Sequence, residues 1–253
     1  MRGVILTAGR GDRLKPITGD RPKCLATVGG CTILERQLRS LRACGISRIA
    51  VITGYRSDDV RRTSGPSVEF VHNPRYAMTN SLYSLWLARD LLNDGFVVLN
   101  CDVVFHRQLL TDLLTARYED ALLVAFRGRD EQYSDEEMKL RVRNGRVTEI
   151  SKTLLDGDAE SIGIAKFGAA GAALLIEEMD RLVAAGAIRE WAPAAFAGFC
   201  RRRPLHVVDH RGLPWIEIDS PNDYWRACTH IAPVLDDAVP GAGAGVRRAA
   251  DHV

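Results

Sequence analysis

The segment that follows the first apolar run carries residue types suited to binding phosphate. It reads LTAGRGDRLKPITGDRPKCL over residues 6–25. Gly9 and Gly11 allow backbone N–H groups to approach phosphate oxygens without interference from a Cβ atom. Arg13 offers a planar fork for two oxygens, and Lys23 offers a compact, mobile charge. We therefore predict that this segment binds a triphosphate and that Arg13 and Lys23 meet its negative charge.

Two common phosphate-binding loops do not fit this segment. A dinucleotide fingerprint needs a glycine three positions after Gly11, where Leu14 stands. A Walker A loop needs Gly-Lys followed by Ser or Thr, which occurs nowhere in the chain. A Gly-x-Gly pair alone is more typical of a turn, so the interpretation depends on the complete string.

Two aspartates end apolar strand patterns far apart in the chain. Asp102 ends the run GFVVLNCD, and Asp219 ends WIEID. Glu217, two positions before Asp219, lies on the same strand face. Magnesium prefers hard oxygen ligands together with substrate phosphates, and facing aspartates at one sheet edge meet that need. An aspartate at a strand end is also a common turn residue or helix cap, so both interpretations stay open on the residues alone.

The elements that carry these residues alternate between strand and helix in the first half of the chain. Such alternation predicts an α/β fold, a doubly wound and mostly parallel sheet that binds ligands at the carboxyl ends of its strands. Thr79 or Asn80 is the expected N-cap of one of the helices. Strands are predicted over 2–7, 47–54, 67–71, 95–102 and 121–126, and helices over 32–45, 57–63, 81–92 and 107–118.

The second half of the chain changes pattern. Residues 138–151 alternate in polarity around Asn144 and Gly145, a strong hairpin signal, and predict a small β-rich insertion. The stretch 8–30 is predicted to be a long loop, and Ser220 is the expected cap of a final helix. We predict one domain over 1–231 and a frayed or disordered tail over 232–253, which is rich in Ala, Gly, Pro and Val.

Composition excludes several function classes. The 253 residues include 34 basic and 32 acidic side chains, a net charge of +2, which gives no sign of nucleic-acid binding. The six cysteines form no C-x-x-C pair, the N-terminus lacks a signal-peptide pattern, and no apolar run approaches the roughly 20 residues that cross a bilayer. We expect a cytoplasmic protein without a membrane partner, and the sequence leaves a homo-oligomer open.

The complete string, Gly-x-Gly-x-Arg with Pro22 and Lys23 after an N-terminal strand, resembles the signature of the sugar-nucleotide pyrophosphorylase and nucleotidyltransferase family. Residues 73–92, 138–152, 163–167 and 214–224 are similar to the branch that contains phosphocholine cytidylyltransferase. The resemblance covers residues 2–231. It implies a Rossmann-like nucleotidyltransferase fold and transfer of CMP from CTP to a phosphorylated or phosphono small alcohol, with release of pyrophosphate.

The resemblance also implies roles for individual residues. Lys23 would meet the phosphate that reacts, and Asn80 and Ser84 would face the base. Asp102 and Asp219 would hold Mg²⁺, and the β-rich insertion would lie on the acceptor side. Glu217, from its position on the same strand face as Asp219, is either a residue that orients a metal-bound water or an ordinary strand carboxylate. The phosphates would lie against Ala8, Gly9, Gly11 and Arg13, and the acceptor phosphate against Lys139 and Lys152.

The identity of the acceptor stays open in the sequence. Tyr133 and Trp191 are aromatic residues in irregular segments and are candidates for lining an acceptor pocket. Ala192 and Pro193 stand where close choline-type relatives carry an acidic pair, which argues against a positively charged acceptor end. Two alternatives remain: the same chemistry with another nucleotide and a sugar 1-phosphate, and a non-catalytic nucleotide-binding module.

Overall fold

Short runs of buried, mostly β-branched residues form the strands of a mixed sheet. The structure is a computed structural model that describes residues 1–127 and 136–236. The strands are β1 (Arg2–Leu6), β2 (Thr27–Val28), β3 (Cys31–Thr32), β4 (Ile49–Thr53), β5 (Glu69–His72), β6 (Phe96–Asn100), β7 (Val103–Phe105), β8 (Ala121–Phe126), β9 (Lys139–Arg143), β10 (Arg146–Ser151), β11 (Ala159–Phe167), β12 (His206–Asp209) and β13 (Trp215–Glu217).

Helices connect most of these strands. They are α1 (Lys15–Thr18), α2 (Ile33–Ala43), α3 (Ser57–Ser64), α4 (Ser81–Leu87), α5 (Arg107–Thr115), α6 (Ala169–Ala184), α7 (Pro193–Cys200), α8 (Pro221–Arg226) and α9 (Ala232–Asp236). In the described ranges, no helix has both the length and the apolar character needed to cross a bilayer.

The main sheet has nine strands in the order β5-β4-β1-β6-β11-β8-β12-β10-β9. Strands β5, β4, β1 and β6 are mutually parallel, as are β8 and β12. The predicted α/β class and the mostly parallel sheet are confirmed. Strand β11 departs from the predicted parallel arrangement, because it runs antiparallel between β6 and β8. The alternation of strands and helices did not predict this direction.

The predicted hairpin forms around its expected turn. Asn144 and Gly145 both have positive φ, 52° and 71°, as a tight two-residue hairpin loop requires. The hairpin extends the main sheet, because β10 pairs with β12 and β9 pairs with β11. The β-rich insertion is therefore continuous with the main sheet.

The two faces of the sheet bury separate cores. Val4 and Leu6 of β1 pack with residues of α4, α6 and α7, whereas Ile5 between them packs with residues of α2, α3 and α5. Alternate residues of a strand point to opposite faces, so helices cover both sides. This double layer fixes the carboxyl end of β1, where the glycine segment begins.

Two predicted helix N-caps, Asn80 and Ser220, are present in the structure. Asn80 is the N-cap of α4, and its Oδ1 accepts the Ser81 N–H at 2.8 Å. Ser220 forms a capping box with Asp223 at the start of α8, as its position before Pro221 predicted. Residues 8–30 are less irregular than predicted, since they contain short helical turns and strand β2 of the β2–β3 hairpin.

The C-terminal part of the described chain is helical beyond the predicted domain boundary. Helix α9 follows a π-helical turn, Ala227–Ile231, and buries Ala232 and Leu235 against Ile216 and Ile218. Two residues of the predicted tail, Ala232 and Leu235, thus pack on the domain. Residues 237–253 lie outside the described residues.

Candidate active site

A cavity of about 420 Å³ opens at the carboxyl ends of β1 and β6. Its walls come from the glycine segment, the start of α4, the turn after β6, strand β11 and the start of α7. Twelve of the residues singled out in the sequence line it: Ala8, Gly9, Gly11, Arg13, Lys23, Asn80, Ser84, Asp102, Lys152, Trp191, Glu217 and Asp219. The structure therefore brings together segments that are far apart in the chain.

The glycine segment is shaped by the left-handed conformation of Gly11. Its φ is 67° and its ψ is 40°, a region that side-chain-bearing residues rarely occupy. A Cβ atom on Gly11 would also lie 2.6 Å from the Cβ of Lys23, too close for any contact. A Cβ on Gly9 would meet no atom within 4 Å. Gly11 thus lets Lys23 pack beneath the loop, and Gly9 borders open space in the cavity.

Lys23 bridges the two aspartates. Its Nζ donates to Asp102 Oδ2 at 3.0 Å and to Asp219 Oδ1 at 2.7 Å, and its side chain is only 10% exposed. Burial opposes the charge on Lys23, but the carboxylates of Asp102 and Asp219 outweigh it and raise its pKa above the ordinary value. The lysine is therefore a fixed cation at the floor of the cavity.

A two-stranded sheet holds the aspartates next to each other. Strand β13 pairs antiparallel with β7, with Glu217 opposite Val103. One register position further, the Ile218 N–H donates to the carbonyl of Asp102 at 3.0 Å. The sequence predicted a common edge of one sheet. The structure achieves the same proximity through this separate β-ribbon, because β13 does not join the nine-stranded sheet.

Three carboxylates form a group that fits a divalent cation. One oxygen each of Asp102, Glu217 and Asp219 lies within 4.8 Å of the others. Asp102 Oδ1 is buried and has no hydrogen-bond partner among the described residues, so it is free to serve as a ligand atom. Burial raises the pKa of Glu217 well above its usual range, and Asp102 and Asp219 add to the effect. This set of hard oxygens fits Mg²⁺.

Gln37 of α2 braces the turn that carries Asp102. Its buried Nε2 group donates to the carbonyls of Asn100 and Val103, at 2.8 and 2.9 Å, on either side of the aspartate. Sequence reasoning missed this residue, because a glutamine on an amphipathic helix gives no signal of the loop it meets. Gln37 is a positioning residue: it fixes the backbone from which the Asp102 carboxylate projects.

The variant Gln37→Leu tests this bracing. We expect the free energy of unfolding to fall by about 1–3 kcal/mol, because two buried carbonyls lose their donor. We also expect weaker Mn²⁺ binding, since the Asp102 turn is no longer held. Urea unfolding and Mn²⁺ titration measure the two effects, with Gln108→Leu as control, because Gln108 is exposed and its side chain bonds to Asp112 within α5. Unchanged Mn²⁺ affinity in a destabilised variant would contradict the positioning role.

A chain of ion pairs crosses the mouth of the cavity. Arg13 donates to Asp219 Oδ1 and to Glu136 Oε1, both at 2.9 Å. Lys152 Nζ lies 3.2 Å from Glu136 Oε2 and 4.5 Å from the ring centroid of Trp191. Sequence reasoning did not find Glu136, which stands before the hairpin in no recognisable pattern. It links the two cations that were predicted to bind phosphate.

Lys139 and Tyr133 are the other two residues that the sequence predicted to contact the acceptor. Lys139 does not line the cavity: its side chain is buried, and its Nζ donates to the carbonyl of Lys152 at 2.9 Å. Strand β9 directs this ammonium to the backbone that carries Lys152, and a role of Lys139 toward the acceptor stays a prediction. Tyr133 lies outside the described residues.

Asn80 and Ser84 lie together at the start of α4. Ser84 Oγ donates to the Asn80 carbonyl at 3.3 Å and accepts from Asn73 Nδ2 at 3.0 Å. The fully buried Asn73 also donates to Thr79 Oγ1 at 3.0 Å, so one side chain organises this wall of the cavity. Tyr76 lines the same wall. Neither Asn73 nor Tyr76 was singled out in the sequence.

Residues 3–217 match the model of the MobA-like NTP transferase domain. The chain belongs to this family. Over 246 residues it is 33% identical to the bifunctional IPC transferase and DIPP synthase of Rubrobacter xylanophilus, covering 91% of this chain and 54% of that protein. The chain thus spans about half the length of that relative.

Other relatives match nearly end to end. Choline-phosphate cytidylyltransferase of Streptococcus pneumoniae is 26% identical over 234 residues, which cover 88% of this chain and 95% of that protein. The solved structure of CTP:phosphocholine cytidylyltransferase from the same organism superposes with a TM-score of 0.76 at 25% identity, covering 92% of this chain and 98% of that one. The family resemblance and the Rossmann-like fold predicted from the sequence are confirmed.

Proposed function

We propose that this nucleotidyltransferase-family chain moves CMP from CTP to a small acceptor that carries a phosphate or phosphonate, with release of pyrophosphate. The observation that carries the proposal is the ammonium of Lys23 within 3.0 Å of Asp102 and Asp219 in a cavity bordered by the glycine segment. Relatives of the chain named as cytidylyltransferases for choline phosphate and phosphoglutamine favour CTP as the donor.

The reaction needs charge neutralisation and alignment. An oxygen of the acceptor attacks the α-phosphorus of CTP, a new P–O bond forms, and the bond to the bridging oxygen of pyrophosphate breaks in line. The acceptor phosphate is largely a dianion at neutral pH, so no general base is required. Lys23 and Arg13 offer positive charge to the phosphates, and the glycine segment offers backbone N–H groups.

Asp102 and Asp219 would hold Mg²⁺ in this proposal, and Glu217, with a carboxylate oxygen within 4.8 Å of theirs, would help to orient the ion's water. A bound magnesium ion supplies charge neutralisation to the triphosphate. The protein keeps Asp219 ionised and ready to bind the cation. Burial alone would raise the pKa of Asp219, but Lys23 and Arg13 lower it below the ordinary value.

Pyrophosphate release from the four nucleoside triphosphates, measured with Mg²⁺ and an acceptor mixture, tests the proposal. We expect kcat/KM for CTP to exceed that for the other three by about tenfold or more. A preference for another nucleotide with a sugar 1-phosphate would support the alternative transferase. Tight CTP binding without pyrophosphate release from any acceptor would support a non-catalytic module.

Glu136 competes with substrate phosphates for Arg13 and Lys152. The variant Glu136→Gln removes the carboxylate charge that both cations contact, so we expect KM for CTP or the acceptor to fall about two- to fivefold, the range of a half-exposed ion pair. Steady-state kinetics measures the change. Glu149→Gln, which alters an ion pair with Arg141 on the hairpin surface, is the matched control. A higher KM in Glu136→Gln would contradict the competition.

A further inference from the structure

One end of the cavity is walled by hydrocarbon. Ala165 of β11 pairs with Val98 of β6 on one side and with Leu122 of β8 on the other. Helix α7 and the residue before it cover this patch with Phe196 and Ala192. We call these five residues, Val98, Leu122, Ala165, Ala192 and Phe196, the apolar end. It adjoins Trp191, the residue before Ala192, whose ring lies 4.5 Å from Lys152 Nζ.

The ring of Trp191, beside the apolar end, already contacts the ammonium of Lys152. Lys152 Nζ lies 4.5 Å from the ring centroid of Trp191, within the range of a cation–π contact. A quaternary ammonium on a ligand would have to displace this internal lysine or meet its positive charge. The arrangement therefore disfavours a cationic group at this position.

The carboxylates that line the cavity already take part in ion pairs or in the three-carboxylate group. Of the described residues that line the cavity, Asp12 pairs with Lys15, Glu136 pairs with Arg13 and Lys152, and the three remaining acids form the metal-type group. An ammonium buried without a carboxylate is unfavourable. The described part of the apolar end offers no such partner.

A ligand with many hydroxyl groups also finds few hydrogen-bond partners at the apolar end. Among the described residues of β11 that line the cavity, Ser161 carries the hydroxyl group; its Oγ accepts the Gly163 N–H at 3.1 Å and can donate one hydrogen bond to a ligand. Each hydroxyl of a sugar or inositol ring that is desolvated without a partner weakens binding. The walls match a body that makes van der Waals contacts instead.

We propose that the acceptor is a phosphate monoester or phosphonate whose body is a short, uncharged hydrocarbon chain that occupies the apolar end. Its anionic head group faces Lys152 and Arg13, which Glu136 holds at the mouth of the cavity. The cavity of about 420 Å³ must also hold the nucleotide, so the body is small. This assignment rests on the proposed function.

A matched acceptor series tests the assignment. Propyl phosphate, 3-aminopropyl phosphate, phosphocholine and inositol 1-phosphate are titrated by calorimetry into the full chain loaded with α,β-methylene-CTP and Mg²⁺. We expect propyl phosphate to bind about tenfold or more tighter than each of the others. Equal or tighter binding of an aminated or polyhydroxylated acceptor, or no binding of propyl phosphate to the loaded chain, would overturn the assignment.

Turnover of the same series with CTP separates the two proposals. Pyrophosphate release with phosphocholine in preference to propyl phosphate would overturn the hydrocarbon assignment and leave the cytidylyltransferase proposal intact. A preference for another nucleotide would overturn the CTP proposal, while the ranking of acceptors would still decide the assignment.

A designed carboxylate provides a second test. Pro193 lines the cavity in the first turn of α7, where an acidic residue suits the helix dipole. In Pro193→Asp we expect the ratio of 3-aminopropyl phosphate to propyl phosphate affinity to rise about tenfold. Ala169→Asp, at the exposed first residue of α6, should leave that ratio unchanged. An unchanged ratio in folded Pro193→Asp would contradict the placement of the acceptor body.

Discussion

Replacing Lys23 by alanine is expected to lower kcat by about a hundredfold or more while the chain stays folded. The substitution removes the cation that lies 3.0 Å from Asp102 and 2.7 Å from Asp219 at the cavity floor. Without it, the reacting phosphate loses a positive charge, and two carboxylates face each other uncompensated. Steady-state pyrophosphate release measures the loss, and circular dichroism checks the fold.

Two further variants sharpen that experiment. Lys15→Ala removes an exposed lysine of the same segment, which pairs with Asp12, and should leave turnover near the wild-type value. Lys23→Arg keeps the charge but cannot fit a compact ammonium site beside Gly11, so we expect only partial recovery. Turnover within a few-fold of wild type in folded Lys23→Ala would refute the assigned role.

Replacing Asp102 by asparagine is expected to lower turnover by about 10²–10³-fold and to weaken Mn²⁺ binding about tenfold or more. The change removes one charge from the group formed with Glu217 and Asp219. It also alters the buried oxygen for which the described part of the chain offers no hydrogen-bond partner. Electron paramagnetic resonance of added Mn²⁺ reports the metal affinity independently of catalysis.

A remote aspartate supplies the comparison. Asp94→Asn breaks a solvent-exposed pair with Arg48 at 3.0 Å and should change neither Mn²⁺ affinity nor turnover. Wild-type Mn²⁺ affinity in Asp102→Asn, with the fold intact, would show that the carboxylate group does not hold the metal.

The parts of the site that the sequence predicted share one property: they follow strand ends. Gly11, Lys23 and Asp102 lie beyond apolar runs, and parallel strands bring their carboxyl ends to one edge. The structure brings these residues together in the cavity, although Asp219 arrives through the β7–β13 ribbon and not through the main sheet. The sequence pattern was enough to predict these residues because a parallel sheet by itself brings the ends of its strands together.

The parts that the sequence did not predict depend on tertiary contacts. Gln37 and Asn73 act through side-chain hydrogen bonds to other elements. Gln37 bonds to Asn100, 63 positions away in the chain, and Asn73 bonds to Ser84, 11 positions away. Lys139 was assigned from a motif, but its rotamer carries the ammonium to the Lys152 carbonyl. The antiparallel direction of β11 follows from a crossover that the hydrophobic pattern of one strand does not encode.

Phosphorus-31 relaxation of bound CTP with Mn²⁺ in place of magnesium tests the central claim most directly, with protein in excess over nucleotide. We predict that Mn²⁺ strongly accelerates relaxation of the CTP phosphorus nuclei in the wild-type chain, and that the acceleration is lost when Asp102 and Asp219 are both replaced by asparagine. Bound CTP whose relaxation is indifferent to Mn²⁺, or is equally accelerated after both replacements, would contradict a shared site for the triphosphate and the divalent ion.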